Sequence, residues 1–306
     1  MREFVFEGGL LHSVENIAAC STSNALEDAL KQQKIIEGIC CMCDSEMNLH
    51  LKLGAVEGII PKSESAIGAE CGKVKDIALI SKVGKPVQFM VQRIENTNGH
   101  LRAWLSRKAV QRACQEKYIN ALRSGDIVRV KVTHLERFGA FVDIGAGINS
   151  LIPIDMLSVS RIAHPAHRVR EGEVLCCAVR SKAEGKITLS LREMLGTWEE
   201  NACHFEAGQT VKGVVRSVES YGIFIELAPN LAGLAEYNEY VHTGQAVSVY
   251  IKSIIPEKMK IKLSIIDVLE EPYCPQKEYY YQGAHMDVWQ YSPTGCEKVI
   301  ETVFAK

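Results

Sequence analysis

The stretch Glu136-Arg137-Phe138-Gly139-Ala140-Phe141-Val142-Asp143-Ile144-Gly145 reads as a strand. Val142 and Ile144 alternate with Phe141 and Asp143, the period of a half-buried sheet. Phe138 and Phe141 stand three apart, so an unbroken strand would send the two rings to opposite faces. Gly139 between them suits a bulge, which would reset the alternation and bring both rings to one side. Facing outward beside Arg137 and Asp143, they would form an aromatic platform of the kind that stacks unpaired bases. The plainer reading is that one or both rings are ordinary core.

The same phrase recurs as Ser220-Tyr221-Gly222-Ile223-Phe224-Ile225-Glu226-Leu227, with Tyr for the first Phe and Glu for the Asp. Gly139 and Gly222 lie 83 positions apart, so the repeating unit is a small domain and not a solenoid turn. The recurrence favours the outward platform.

Outward from these two copies, each repeat reads as five short strands. The second module, 122–192, opens at Ser124-Gly125-Asp126, runs Ile127 to Thr133, then the platform, Ser150 to Pro153, Val174 to Arg180, and Lys186 to Leu191. The third, 208–266, reads Thr210 to Ser217, Gly222 to Leu227, Gly233 to Glu236, Gln245 to Ile254, and Lys260 to Ser264, with a trimmed connection before Gln245. A first module, 33–107, follows the same plan, but aligning His50 with Phe141 shows that it has lost the ring pair; His50 alone could stack. Five such strands with a helical turn between the third and fourth describe the oligonucleotide/oligosaccharide-binding barrel, whose binding face spans strands two and three. Expected, then, is an all-β chain of three tandem barrels. A polar segment with a short helix over Ala25–Leu30 precedes them (1–32, poorly ordered up to residue 24), a helical linker (108–121) and a second linker (193–207) join them, and an aromatic tail (267–306) follows. The tail carries Tyr279-Tyr280-Tyr281, Trp289 and Tyr291 and is too apolar to stay solvated, so it should dock on the third module or on a partner.

Composition narrows the function. The 306 residues include 47% hydrophobic ones, enough for several cores. No apolar run reaches the roughly 18 residues of a membrane span, and the start lacks the pattern of a secretion signal, which fits a cytoplasmic protein. The net charge of −2 is unevenly spread. Residues 31–108 carry 12 basic and 8 acidic side chains (+4), residues 121–195 carry 11 and 8 (+3), residues 203–267 carry 6 and 7 (−1), and the remainder is acidic by 8. Basic modules in an acidic whole suit moderate, salt-sensitive binding of a polyanion. The 11 cysteines lack the spacing of zinc knuckles and read as buried thiols. His164 and His167 lie in a basic loop with Arg168 and Arg170, expected to be solvated and not a metal site. No paired carboxylates, nucleophile–base spacing or phosphate-cradling glycine loop stands out, so neither an enzyme nor a cofactor or metal is expected.

On these residues the second and third modules resemble the RNA-binding domain named after small-subunit ribosomal protein one, the S-one domain. The similarity rests on Ser124-Gly125-Asp126, Phe138-Gly139-Ala140-Phe141-Val142-Asp143 and Gly185-Lys186-Ile187-Thr188-Leu189-Ser190, and in the third module on Ala207-Gly208-Gln209, Tyr221-Gly222-Ile223-Phe224 and Lys260-Ile261-Lys262-Leu263-Ser264. The first module matches through Gly54 to Pro61 alone. The whole plan is similar to the short three-module S-one proteins of the clostridial type. The resemblance implies single-stranded RNA binding, mRNA included, in translation at the small ribosomal subunit. It implies an RNA face of Phe138, Phe141 and Lys186, with Arg137 beside them, and of Tyr221, Phe224 and Lys260; His50 joins them from the first module. The third-strand position, often His in the family, is Pro153 in one module and Glu236 in the other, so that contact is absent. The alternative is a scaffold of degenerate barrels docking by protein contacts on the ribosome or an RNA-processing complex.

Overall fold

The computed structural model describes residues 4–97, 99–183 and 185–304, and the chain divides into two compact units. The first comprises Met1–Leu122 with Asp143–Asn149, and the second Arg123–Val142 with Ser150–Lys306. Among the described residues no helix is long and apolar enough to cross a membrane.

In the first unit, β1 (Ile36–Cys43), β2 (Leu49–Leu53), β3 (Val56–Ile60), β4 (Pro86–Thr97) and β5 (His100–Ser106) close a barrel in the order β1-β2-β3-β5-β4. Leu49, Leu51 and Leu53 alternate inward with Ile36, Cys40, Val87, Phe89, Val91 and Leu105 to fill it. Two helices precede the barrel, α1 (Val14–Ser21) and α2 (Ser23–Lys31). Ser13 caps α1 by accepting from the Asn16 N–H, and Thr22 caps α2 by accepting from the Ala25 N–H. The N-terminal segment is therefore more structured than its sparse apolar pattern suggests: Asn16 is buried and exchanges two hydrogen bonds with the Glu37 backbone, 2.9 and 2.7 Å. After the short α3 (Asp76–Ile80), the connector α4 (Arg107–Lys117) starts where Ser106 caps it and buries Val110 and Cys114, four apart on one face.

In the second barrel, β6 (Ile127–Glu136), β7 (Gly139–Asp143), β8 (Asn149–Pro153), β9 (Val174–Ala183) and β10 (Lys186–Ser190) have the same cyclic order as the first. In the third, β11 (Thr210–Glu219), β12 (Gly222–Ala228), β13 (Leu231–Ala235), β14 (Ala246–Ile255) and β15 (Lys260–Val268) repeat it. All three are five-stranded barrels of the oligonucleotide/oligosaccharide-binding type. Between the second and third, α5 (Trp198–Ala202) begins with a capping box formed by Thr197 and Glu200.

Gly139 does not sit in a bulge. It is the first residue of β7, after a turn made by Arg137 and Phe138. A Cβ on Gly139 would lie 2.4 Å from the Ile152 carbonyl oxygen, and one on Gly222, the first residue of β12, 2.5 Å from that of Ala235. Gly222 also holds φ +150°. Both glycines let the third strand's backbone cross close to the second. Gly139→Ala and Gly222→Ala should each cost about 1–3 kcal/mol, because the obstructing atom is backbone and cannot swing away. A urea titration of each variant checks this, and unchanged midpoints would refute it.

The tail does not settle mainly on the third barrel. Ala284 O accepts from the Ile127 N–H at 2.9 Å, and the Met286 N–H donates to Gly125 O at 2.9 Å, so the tail runs along the entry to β6 in the second barrel. Tyr280 N–H donates to Met194 O, and Thr302 Oγ1 donates to Glu193 at 2.8 Å. A short hairpin, β16 (Val288–Gln290) with β17 (Glu301–Val303), buries Trp289 and Thr302. The third barrel supplies the Asn230 carbonyl, which accepts from the Tyr291 hydroxyl. The cysteines are also more varied than expected. Cys40, Cys114, Cys177 and Cys296 are buried, whereas Cys41, Cys71, Cys203 and Cys274 are exposed.

Candidate nucleic-acid interface

Phe138, in the turn, is 55% exposed, and Phe141, in the strand, is half-buried. Their ring centroids lie 5.9 Å apart with planes at 88°, an edge-to-face pair. Tyr221 is 69% exposed, and its centroid lies 6.1 Å from that of half-buried Phe224, at 86°. The same pair is thus built twice. The turn, rather than a bulge, brings each pair to one side, because Phe138 and Tyr221 precede the strands whose alternation would have separated the rings. Arg137 is exposed in the same turn.

The strand register continues the third barrel's outer face. Ser217 pairs with Phe224, Phe224 with Leu234, Leu234 with Lys262, and Lys262 with Ser253. The lysine in the same row as the ring is therefore Lys262. Lys260 lies two residues earlier on the same exposed face. In the second barrel Thr188 pairs with Leu151 and fills the matching position, with exposed Lys186 two residues before it. Sequence reasoning chose Lys186 and Lys260 and missed Lys262, which only the β13–β15 register singles out. Glu236 is exposed at the third-strand position, but the Lys252 ammonium, 2.9 Å away, offsets its charge and holds its carboxyl below the usual range.

Two expectations about charge need correction. Asp143 is not beside the rings on the surface; it is buried and accepts from the N–H groups of Glu7, Gly145 and Gly147 at 2.7, 2.8 and 3.0 Å. Burial, with Glu7's charge nearby, pushes its carboxyl up to about 6 despite those donors. Burial also opposes ionisation of Glu7, yet Arg107 and Lys82, each 2.6 Å away, hold it down to about 2. The equivalent Glu226 is likewise buried, shared by the Arg168 and Arg216 guanidiniums. So Arg168 does not belong to a solvated loop. It is buried and also donates to Ser158 Oγ at 3.1 Å. His164, in that loop, caps a short turn by accepting from the Ala166 N–H.

In the first barrel His50 is half-buried between two carboxylates, with Nε2 3.0 Å from Asp44 and Nδ1 3.3 Å from Glu57. The His50 hydrogen bond, helped by Asn48, holds Asp44 down to about 2. The ring is already engaged by acidic groups, unlike the rings of the other two barrels. The alternation of Leu49, Leu51 and Leu53 puts His50 on the outer face but gives no sign of Asp44 or Glu57.

Residues 121–180 match the family described as the S1 RNA binding domain. The chain is 31% identical over 200 residues to the small ribosomal subunit protein bS1 of Staphylococcus aureus (strain N315), an alignment covering 60% of this chain and 50% of the relative. It is 32% identical over the same length and shares to bS1 of Staphylococcus haemolyticus (strain JCSC1435). The chain thus spans about half the length of the curated relatives it matches. Among solved structures, a multidomain protein with nucleic acid binding domains from Streptococcus pneumoniae is 15% identical, covering 77% of this chain and 74% of that one with a TM-score of 0.26. The chain is thus similar at residues 121–180 to the S1 RNA binding domain family and over 60% of its length to the small ribosomal subunit protein bS1.

Proposed function

We propose that this chain is a non-catalytic, cytoplasmic binder of single-stranded RNA that acts in translation at the small ribosomal subunit. The observation that carries the reading is the repeated edge-to-face ring pair, in which Phe138 and Tyr221 are exposed and Phe141 and Phe224 half-buried. Exposed rings beside lysines offer a base a π-face and its phosphate a charge, with little discrimination between bases. Arg137, Lys186, Lys260 and Lys262 supply the charge. The description of the matching family and the names of the relatives support the same reading.

A titration by fluorescence anisotropy tests it, using a labelled single-stranded RNA of about 20 nucleotides and the same sequence as a duplex, each across a salt series. The single strand should bind more tightly, with affinity falling on a log–log slope of about −0.7 for each phosphate neutralised. No binding of the single strand at about 100 mM salt, or equal binding of the duplex, would overturn the reading. The competing reading, a scaffold docking through protein contacts, is favoured by the clamped His50 and by exposed Tyr237 and Tyr240 among Glu236 and Glu239. Under it, neither RNA would bind.

A further inference from the structure

The first barrel has lost the second-strand rings, yet its outer face is not without an aromatic. Its register repeats the row seen in the third barrel: Met42 and His50 pair across β1 and β2, His50 with Ile59, Ile59 with Trp104, and Trp104 with Arg93. Trp104 therefore stands where the third barrel has Lys262 and the second has Thr188. Arg93 stands at the position of Ser253 and Ser181. The row's aromatic thus lies on the fifth strand, with a cation beside it on the fourth where the other two barrels have serine.

The two residues form a clip. The Arg93 guanidinium carbon lies 4.9 Å from the Trp104 ring centroid. Glu95 holds both of them, accepting from the indole N–H at 2.9 Å through one carboxylate oxygen and pairing with Arg93 at 3.3 Å through the other. The indole is thus fixed in its plane, while the Arg93 side chain, paired with Glu95 through a single contact, is 61% exposed. Arg102, exposed on β5 at the position matching Lys186 and Lys260, is paired with Glu57 at 3.0 Å.

We infer that Trp104 and Arg93 make the first barrel a third base-stacking site, in which one unpaired base enters between the indole and the guanidinium. This rests on the RNA-binding reading above and adds a site to it. A planar base replaces the direct contact of cation and ring with two stacked faces, and Glu95 keeps the indole from turning away. His50, tied to Asp44 and Glu57, takes no part.

Intrinsic fluorescence reports on this site selectively. The chain has 3 tryptophans, and Trp198 and Trp289 are only 2% and 6% exposed. Titrating the full chain with single-stranded RNA, while following the anisotropy of a label on the RNA, should quench tryptophan emission as binding proceeds. In Trp104→Phe the RNA should still bind with no change in emission. In Trp104→Leu, which removes the ring, affinity should fall on the order of tenfold. If the RNA binds by anisotropy and emission stays constant, or changes equally in Trp104→Phe, the clip is not a base site and the platforms of the other two barrels stand unaffected. If the RNA does not bind at all, the RNA reading fails and this site falls with it.

Discussion

Phe138→Ala combined with Phe141→Ala lowers the affinity of the full chain for single-stranded RNA by about thirtyfold or more. Each stacked base contributes about 1–3 kcal/mol, and about 1.4 kcal/mol is a factor of ten, so losing both contacts of one platform costs about 2 kcal/mol at the lower bound. Phe138 lies in a turn with 55% of its surface in water, so its removal takes little from the core. The slope of affinity against salt should hardly change, because the rings carry no charge and Arg137 and Lys186 remain. That separates loss of stacking from general damage to the barrel, which would alter both. Tyr221→Ala with Phe224→Ala should act similarly. The four substitutions together should reduce binding more than either pair, since linked sites raise each other's effective concentration. Parallel anisotropy titrations of the three variants, with circular dichroism as the control for folding, decide the matter. Unchanged dissociation constants in both double variants would remove the platforms from the mechanism.

Much of this site was legible in the sequence because period-two alternation reports which face a residue occupies. Val142 and Ile144 fixed the inward face of the platform segment, and the copy 83 residues later fixed the size of the repeat. What alternation does not report is what meets a side chain from far along the chain. Asp143 and Glu226 occupy strand positions that read as polar and outward, yet each is buried against groups distant in sequence: the Glu7 backbone for one, Arg168 for the other. Gly139 was misread for a related reason. A glycine between two rings suggests a local irregularity, whereas its cause lies across the ladder in the carbonyl of Ile152. The parallel pairing of the third and fifth strands puts Lys262 and Trp104 in the row of the rings. Aligning Gly99-His100-Leu101-Arg102-Ala103-Trp104-Leu105-Ser106 with Gly185 to Ser190 by their closing Leu-Ser would have placed Trp104 opposite Thr188. The tail's aromatic content announced that it must be covered, but its main hydrogen-bond partners, the backbone of Gly125 and Ile127, carry no side-chain signal.

The largest effect on stability falls at Glu226, where Glu226→Gln costs about 3–5 kcal/mol. Its carboxylate is wholly buried and is shared by Arg168, from the second barrel, and Arg216, from β11 of the third. The Arg168 side chain is 1% exposed and that of Arg216 8%, so neither guanidinium can turn to water when its partner is neutralised. Removing one member of such a pair leaves buried charge uncompensated, which is far more costly than the net contribution of the intact pair. Here two like charges would then also face each other. Among the described residues Arg168 Nε has no hydrogen-bond partner, and burial together with Arg216 lowers the affinity of Arg168 for its proton. Glutamine keeps the shape and one acceptor, so the loss reads the charge and not a cavity. Denaturation should show the midpoint falling for the transition that includes the second and third barrels. Below that transition RNA affinity should remain within a few-fold of the unaltered chain, because Glu226 is covered by Arg168 and Arg216 while Phe224, two residues before it on the same side of β12, keeps its place in the strand. A stability change below about 1 kcal/mol, the range of an exposed ion pair, would mean that water reaches these arginines and that Glu226 does not hold the two barrels together.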